Sequence, residues 1–561
     1  MELRTATRRL TVLTAVLVAG MVAPAVAEAK PELKRPASQT EAPKGYQRTA
    51  KEVTAIAARA GKVRAERRRH SSFAPTAYTR GPGRWQVSWF AGRREVAQVR
   101  VDDLTGAVLE QWTGDQVAWT MARGYEGAFG RKLNAPYVWI PLCMLFLAPF
   151  LDPRRPLRLL HLDLLVLLGF GVSHVFFNRG EIATSVPLAY PVLLYLLGRL
   201  LWAGFRPRER RERLVPLVPV GVLALGIVLL VGFRVGLNVL DSNPIDVGYA
   251  GVIGADRIAD GDELYGPGFS ADVQRGDTYG PVTYLAYVPF EQAMPWSGVW
   301  DDLPAAHGAA LAFDLLTLLG LVLLGHRLRP GRPGRELGVA LGFAWAAYPY
   351  ALFSLQTNSN DSLVALLTVL AMLGLTVARP RASALATGAA VGLAAAAKFV
   401  PLALAPLFST AGGERRVRRA ALFSAGLAAV LAATALPFVP DGGLRELYDR
   451  TVGYQVSRPS PFSVWGQDES LEPLQRAVQV GAVLLALAVA LVPRHRSPVQ
   501  IAALAGAVLI AVQLGATHWF YLYVVWFAPL ALVALMAPWR GAPSAPAGPA
   551  AVRREHAPVV A

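Results

Sequence analysis

Cysteine is all but missing: Cys143 is the only one in 561 residues. That excludes an intrachain disulfide and a thiolate metal cluster, and its place in an apolar run reads as a small membrane-packed residue. Lysine is scarce in another way. From Leu133 to the C-terminus there is one, Lys398, although arginine is plentiful. No His/Cys cluster has zinc spacing, and no glycine-rich loop has the spacing of a nucleotide site. The Asp-rich stretches could hold a divalent cation, but their spacing specifies none, so no metal site and no cofactor are expected.

What the sequence has instead is apolar length. Hydrophobic residues make up 53% of the chain, and from about Tyr137 to Ala537 they run in stretches near the length that crosses a bilayer. The formal charge of +17 invites a nucleic-acid reading. The arginines, however, sit mainly in short loops between apolar stretches and in the N-terminal segment, where membrane orientation explains them and no nucleic acid is needed. The expected fold is an all-α polytopic membrane protein with a small α+β domain in front.

The first 27 residues have the parts of a secretory signal. Arg4, Arg8 and Arg9 precede the apolar stretch from Leu10 to Val22, and Ala25-Val26-Ala27 offers a small-residue cleavage pattern; an uncleaved anchor is the alternative. Residues 28–133 hold no spanning run and read as an extracytoplasmic domain. Val53, Ile56, Ala57 and Val63 mark a helix over Glu52 to Arg69. Strands are expected at Trp85 to Phe90, Glu95 to Val101 and Ala107 to Trp112, with Asp103-Leu104-Thr105-Gly106 turning between the last two. This helix followed by "WQVSWFAGRREVAQVRVDDLTGAVLEQWTG" resembles the PepSY domain, which implies a binding or regulatory module.

Charge sets the direction of the spans. Arginines at 154, 155 and 158, 206–213, 327–335, 379 and 381, 415–419, 494–496 and in the tail place those loops in the cytoplasm. Asp241 to Asp302 carries eleven acids against Arg257 and Arg275, and falls outside. The stretch Ala382 to Thr410 is flanked by basic loops on both sides, so it must cross an even number of times. A hairpin of two short helices turning near Lys398-Phe399-Val400-Pro401 meets that need and brings the count to about 13 segments, with the C-terminus inside. Irregular backbone at that depth is tolerated only inside protein or beside a water-filled cavity, so Lys398 should line one.

A charge there costs roughly 2.5–3.5 kcal/mol on insertion scales. Lys398 either snorkels to the outer surface or serves as a cation for a phosphate held at the membrane boundary. At the start of the large outer loop, Asp241 and Asp246 stand where a membrane cavity would open and are placed for base chemistry, the alternative being solvated loop carboxylates. Arg458, in "YQVSRPSPFSVWGQ", lies in another outer loop with Tyr454 and Trp465 beside it, rings that suit either a sugar face or an interfacial anchor. Asp163, His161 and His174 in the second span are read as helix-bridging groups, and Asp314 in a later span has no cationic partner evident in the sequence.

"DVGYAGVIGADRIADGDELYG", then "DTYGPVTYLAYVPFE", resembles the first loop of GT-C glycosyltransferases that use polyprenyl-phosphate sugars, and among them the alpha-mannosyltransferases of glycosyltransferase family 87. Asp246, Tyr249, Gly261, Tyr265, Tyr279 and Pro281 occupy the motif places. "QTNSNDSLVALL" supplies Asn358, Asn360 and Asp361, and "AAAAKFVPLALAPL" supplies Lys398 and Pro401. The single His518 in "THWFYLYVVWFAPL" stands where some relatives carry a His pair.

The resemblance covers roughly 214–537, leaving 134–213 as extra membrane helices and 538–561 as a disordered cytoplasmic tail. It implies a GT-C-like bundle with an extracytoplasmic site that moves a sugar, mannose by family, from a polyprenyl-phosphate donor to an envelope glycolipid or glycan. Displacement would invert the anomeric carbon, with Asp246 as general base. Asp241, Tyr249, Tyr279, Asn360, Asp361, Lys398, Arg458 and His518 would bind substrate, in contact with membrane lipids. The absence of a nucleotide site agrees with a carrier-lipid donor. Two other classes compete: a transporter or flippase of envelope lipids, which would show repeats across its halves, and a membrane-anchored PepSY-like sensor.

Overall fold

The computed structural model describes residues 33–124, 131–266, 269, 275–298, 303–411 and 416–540. The signal-like segment and the tail beyond Arg540 lie outside the described residues. The chain divides into two compact units, 1–117 with 295–304, and 118–294 with 305–561.

The N-terminal unit is an antiparallel sheet in the order β1-β2-β3-β4-β5, made of β1 (Leu33–Lys34), β2 (Ala74–Arg80), β3 (Arg84–Ala91), β4 (Arg94–Asp102) and β5 (Val108–Thr113). The three strands read from the sequence are β3 to β5. Strands β1 and β2 are not evident in the sequence, because β1 is two residues long and the Pro- and Thr-containing "APTAYTR" of β2 carries a weak alternation. The single helix expected before them is two, α1 (Ala50–Ala58) and α2 (Gly61–Arg67). A capping box of Thr49 and Glu52 starts α1, and Gly61 opens α2. Their inward residues Ala50, Val53, Ala57 and Val63 pack on Trp85, Val87, Trp89, Ala97, Val99 and Val101. That alternation of apolar residues along β3 and β4 is the period-two pattern of a strand, and the polar residues between them, Gln86, Ser88 and Gln98, are buried on the other face.

Asp103, in the turn expected at 103–106, is buried rather than solvated. Its carboxylate accepts from Trp85 Nε1 at 2.8 Å and from the backbone N–H groups of Gln47 and Arg48 at 2.7 and 3.0 Å. The neighbouring Asp102 caps the turn through the Thr105 N–H at 2.8 Å, and Gly106 takes φ +71°.

The second unit is helical. Among the described residues, six of its helices are long and apolar enough to cross a membrane. They are α4 (Leu159–Asn178), α5 (Ile182–Phe205), α6 (Val220–Asp241), α8 (Pro304–Leu328), α13 (Arg416–Phe438) and α14 (Glu469–Leu491). Helices α9 (Gly331–Ala347) and α10 (Pro349–Gln356) are an apolar pair bent by 54°, where Pro349 cannot continue the hydrogen-bond ladder of α9. Shorter helices complete the set that matters below: α3 (Pro136–Leu147), the outer-loop helix α7 (Asp246–Asp260), α11 (Asp361–Leu375), α12 (Pro380–Ala397), α15 (Pro498–Leu514) and α16 (Val524–Met536). Two short strands, β6 (Arg210–Arg213) and β7 (Trp539–Arg540), pair in parallel. The chain is thus a multi-pass membrane protein. Residues 118–124 and 131–133, next to the expected domain boundary at 133, pack with this membrane unit, Leu133 fully buried in its core.

The hairpin expected at Lys398 takes a definite form. Helix α12 ends at Ala397, Lys398 is extended, and two short helical turns, Val400–Leu404 and Ala405–Ser409, follow. Gly388 lies against the Phe423 backbone and Gly392 against Leu427, where an added Cβ would meet backbone at 2.1 and 3.0 Å. Gly426 of α13 likewise lies against the Leu385 carbonyl of α12, so small residues on both helices let their backbones pack closely.

Asp314, expected to lack a cation, has one. Arg234, from α6, places Nε at 3.0 Å from Asp314 Oδ2, and Trp345 Nε1 donates to Oδ1 at 3.0 Å, with all three side chains buried. Asp163 is likewise bridged, by Arg199 at 2.9 Å and Tyr195 at 2.8 Å. Breaking a buried pair leaves an uncompensated charge, whereas removing both partners does not. Arg234→Met alone should therefore destabilise the folded protein by about 3–5 kcal/mol, while Arg234→Met with Asp314→Leu should recover most of the loss. Thermal unfolding of both variants in detergent checks this; equal losses would contradict it.

Candidate functional site

The site begins with a knot of polar backbone and side chains where α6 and α8 meet the turn after α10. Asn358 is the one non-glycine residue with positive φ among the described residues, at +46°. Asparagine tolerates that region, and the conformation turns its amide into the bundle. Its Oδ1 accepts from Asn238 Nδ2 at 2.8 Å and its Nδ2 donates to Ser242 Oγ at 2.9 Å. His307 sits 3.1 Å from Ser242 Oγ and 3.2 Å from Asn238 Oδ1. The backbone N–H groups of Asn243 and Ile245 donate to the carbonyls of Gln356 and Thr357. Gly248 lies so close to the Asn358 carbonyl that a Cβ would stand 2.6 Å from it. The strand-like entry to α7, with Asp246, is thereby fastened to the entry to α11, with Asp361.

Asp361 is 1% exposed and accepts from Lys398 Nζ and from Trp526 Nε1, both at 2.8 Å; the Ser359 hydroxyl donates to its other oxygen. Three rings surround the ammonium: Tyr279 at 5.1 Å, Trp526 at 5.4 Å and Tyr523 at 5.9 Å. Lys398 is 8% exposed, so it does not snorkel out to bulk water. A pair of opposite charges and a cage of aromatic faces offset the cost of holding a cation there.

Asp246 sits differently. Its side chain is accessible to water, yet protein surrounds it at longer range, which describes a group at the bottom of a recess. Burial raises its carboxyl above the ordinary aspartate range, while Arg458 and Lys398 act against that rise. Its Oδ1 accepts from the Val247 N–H at 3.0 Å at the first turn of α7, where the helix dipole favours an anion.

Arg458 lies 5.1 Å over the Trp119 ring and forms no hydrogen bond or ion pair among the described residues. His518 Nδ1 is 2.8 Å from Ser460 Oγ. Burial, with the charges of Arg458 and Lys398, drives His518 far below the usual imidazole range, so the ring is neutral and serves as a hydrogen-bonding group rather than a cation.

Of the residues read from the sequence, Asp246, Tyr279, Asp361, Lys398, Arg458 and His518 thus gather about one recess. Asn360 stands beside it. It is buried, its Nδ2 3.4 Å from the Val247 carbonyl and its Oδ1 unpartnered. Asp241 turns elsewhere, toward Lys132, whose Nζ is 3.6 Å away and whose N–H donates at 3.2 Å. Tyr249 is 3% exposed, on the packed face of α7. Of the two rings expected beside Arg458, Trp465 is committed to packing and donates to the Leu514 carbonyl at 2.8 Å, while Tyr454 stacks under Arg275 at 5.3 Å.

Trp119, Ser359, Tyr523 and Trp526 were missed. Only the aromatic run "HWFYLYVVW" hinted at two of them.

The loop bearing Tyr279 is docked on the end of α12. The Gly280 N–H and Thr283 Oγ1 both donate to the Ala397 carbonyl, at 3.2 and 2.7 Å, satisfying a helix end next to Lys398. Asp277, one side of that loop, pairs with Arg450 at 2.7 Å, and Thr278 Oγ1 accepts from Gln455 Nε2 at 3.1 Å. These contacts fix the segment leading to Arg458.

No family model matches the chain, and no curated protein does. Among solved structures, ArnT from Cupriavidus metallidurans bound to undecaprenyl phosphate is similar at 16% identity over 57% of this chain, with a TM-score of 0.37, below the level that marks a shared fold. The match spans 60% of the length of that ArnT chain.

A Cβ at Gly280 would stand 2.0 Å from the Ala396 carbonyl oxygen, with backbone on both sides. Gly280→Ala should lift the Tyr279 loop from α12 and disturb Lys398. The expected result is loss of the Tyr279–Lys398 contact with the protein still folded, read as a changed tryptophan emission and a lower thermal unfolding midpoint in detergent; an emission and midpoint equal to the parent's would contradict it.

Proposed function

We propose that this protein is an integral-membrane glycosyltransferase that moves a sugar from a polyprenyl-phosphate carrier to an envelope acceptor on the extracytoplasmic face. One observation carries the reading. A water-accessible carboxylate, Asp246, shares a recess at the ends of apolar helices with an unpaired guanidinium, Arg458, and a caged ammonium, Lys398. A headgroup phosphate attached to an apolar tail would present its charge at that level, with the tail in the bilayer. The aromatic faces of Trp119, Tyr279 and Tyr523 suit the sugar ring between them.

The reaction is a displacement at the anomeric carbon. The acceptor hydroxyl oxygen forms a bond to that carbon while the bond to the carrier phosphate oxygen breaks, so configuration inverts. Asp246 takes the hydroxyl proton, and its raised carboxyl is a stronger base than an ordinary aspartate. The departing phosphate monoester gains charge, which Arg458 and Lys398 offset and neutral His518 meets with a hydrogen bond. Mannose is the donor sugar that the loop and hairpin motifs suggest. Asn360, beside the entry to α11, and the ion-paired Asp361 hold the frame. Asp241 and Tyr249 frame the outer loop, and the N-terminal unit, as a PepSY-like module, receives envelope acceptors. No cofactor takes part.

Purified full-length protein, given a panel of polyprenyl-phosphate sugars with envelope extract, should release polyprenyl phosphate from one donor. Asp246→Asn should lower the rate roughly 10²–10⁴-fold. Release that persists in the variant would remove Asp246 as base, and donor movement across vesicles without release would favour a flippase.

The pH profile offers a second check. Catalysis needs Asp246 ionised, so activity should fall as pH drops through its raised value, placing the acid limb above the usual aspartate range. Arg458 lowers that value, so Arg458→Gln should move the limb further up; a downward shift or none would contradict the arrangement.

A further inference from the structure

The other end of α6 carries a feature that the proposed reaction does not use. Two cavities of about 820 and 840 Å³ open there, and Arg329 and Trp539 line both. With a rise of about 1.5 Å per residue, the 22 residues of α6 put them some 30 Å from the recess at Asp246.

The first cavity is walled by Arg213, Arg329, Arg332 and Arg335, against one carboxylate, Glu336. Arg332 engages that carboxylate at 2.9 Å, while Arg213 and Arg335 form no side-chain hydrogen bond or ion pair among the described residues. The opposite wall is apolar, the run Leu214 to Val220 with Leu337 and Val339. Arg213, Arg332 and Arg335 are exposed, but with Arg329 they line one open cleft that is cationic on one side and apolar on the other, rather than scattering over the surface.

The cavity is also built. Strands β6 and β7 pair beside it, Arg158 stacks on Trp539 at 3.8 Å and donates to the Arg213 carbonyl at 2.6 Å, and Arg329 donates to the Ala537 carbonyl. Those bonds spend the arginines at 158 and 329 on structure and leave Arg213 and Arg335 for a ligand.

We infer that this cavity binds the phosphate headgroup of an anionic membrane phospholipid, with its acyl chains along the apolar wall. Planar guanidinium groups match phosphate oxygens in pairs, and a basic cavity between membrane helices is the form such sites take. Volumes near 800 Å³ are ample for a glycerophosphate headgroup.

Native mass spectrometry of the full chain in non-ionic detergent, titrated with phosphatidylglycerol, phosphatidylcholine or inorganic phosphate, tests this. Phosphatidylglycerol should be retained at least tenfold over phosphatidylcholine. Arg213→Gln with Arg335→Gln should reduce that retention at least fivefold. The pair Arg213→Lys and Arg335→Lys should keep most of it, and Arg327→Gln with Arg418→Gln, the same charge loss at exposed positions outside the cavity, should change nothing. Equal retention of the two lipids, or undiminished retention in the Arg213→Gln, Arg335→Gln protein, would overturn the inference. Inorganic phosphate binding as tightly as the lipid would reassign the cavity to a soluble anion and overturn it too.

Discussion

The ion pair between Lys398 and Asp361 is the interaction on which the candidate site depends. A lysine at the broken end of a membrane helix is expensive unless something compensates it. Asp361 and the faces of Tyr279, Tyr523 and Trp526 do so, drawn from α11, the Tyr279 loop, the turn before α16 and α16 itself, and Trp526 Nε1 in turn donates to Asp361. The pair therefore fixes α11, α12, α16 and the Tyr279 loop relative to one another. It also holds a cation in the recess without leaving it bare when no anion is bound. Arg458, with no carboxylate of its own, is the second cation, and Asp246 is the one acid left open to water.

The two ends of the membrane unit follow opposite electrostatic designs. At the recess, cations and carboxylates are few and individually placed, and the frame is a network of neutral amides and hydroxyls around Asn358. At the other end arginines are many, one glutamate stands among four of them in a cavity, and backbone carbonyls serve as their anchors. A neutral frame leaves the charge of the recess to be set by the ligand and by Asp246. An arginine-rich wall commits its cavity to an anion in advance.

Much of this could be read from the sequence because membrane constraints are severe. The apolar runs gave the helical class, and the arginine loops led to the expectation of a hairpin at Lys398, where the structure has an extended residue followed by two short helical turns. The isolated lysine marked itself by composition. Strands β3 to β5 and the turn at Asp103 followed from alternation and turn chemistry, while β1 and β2 lacked a clear period. Long-range partners were out of reach. Arg234 and Asp314 are 80 residues apart, and nothing local joins them. The same holds for Lys132 with Asp241 and for Trp526 with Asp361. Asp241 and Asp246 look alike on the page, five residues apart, and only the fold sends one to a lysine and the other to the recess.

The most direct test of the account is where a carrier lipid sits. Electron cryomicroscopy of the full-length protein with polyprenyl phosphate should place the phosphate within ion-pair distance of Arg458 and Lys398, its tail leaving between membrane helices and Asp246 across the recess. A carrier phosphate bound elsewhere, with the Asp246 recess empty, would contradict the assignment of this recess as the site of transfer.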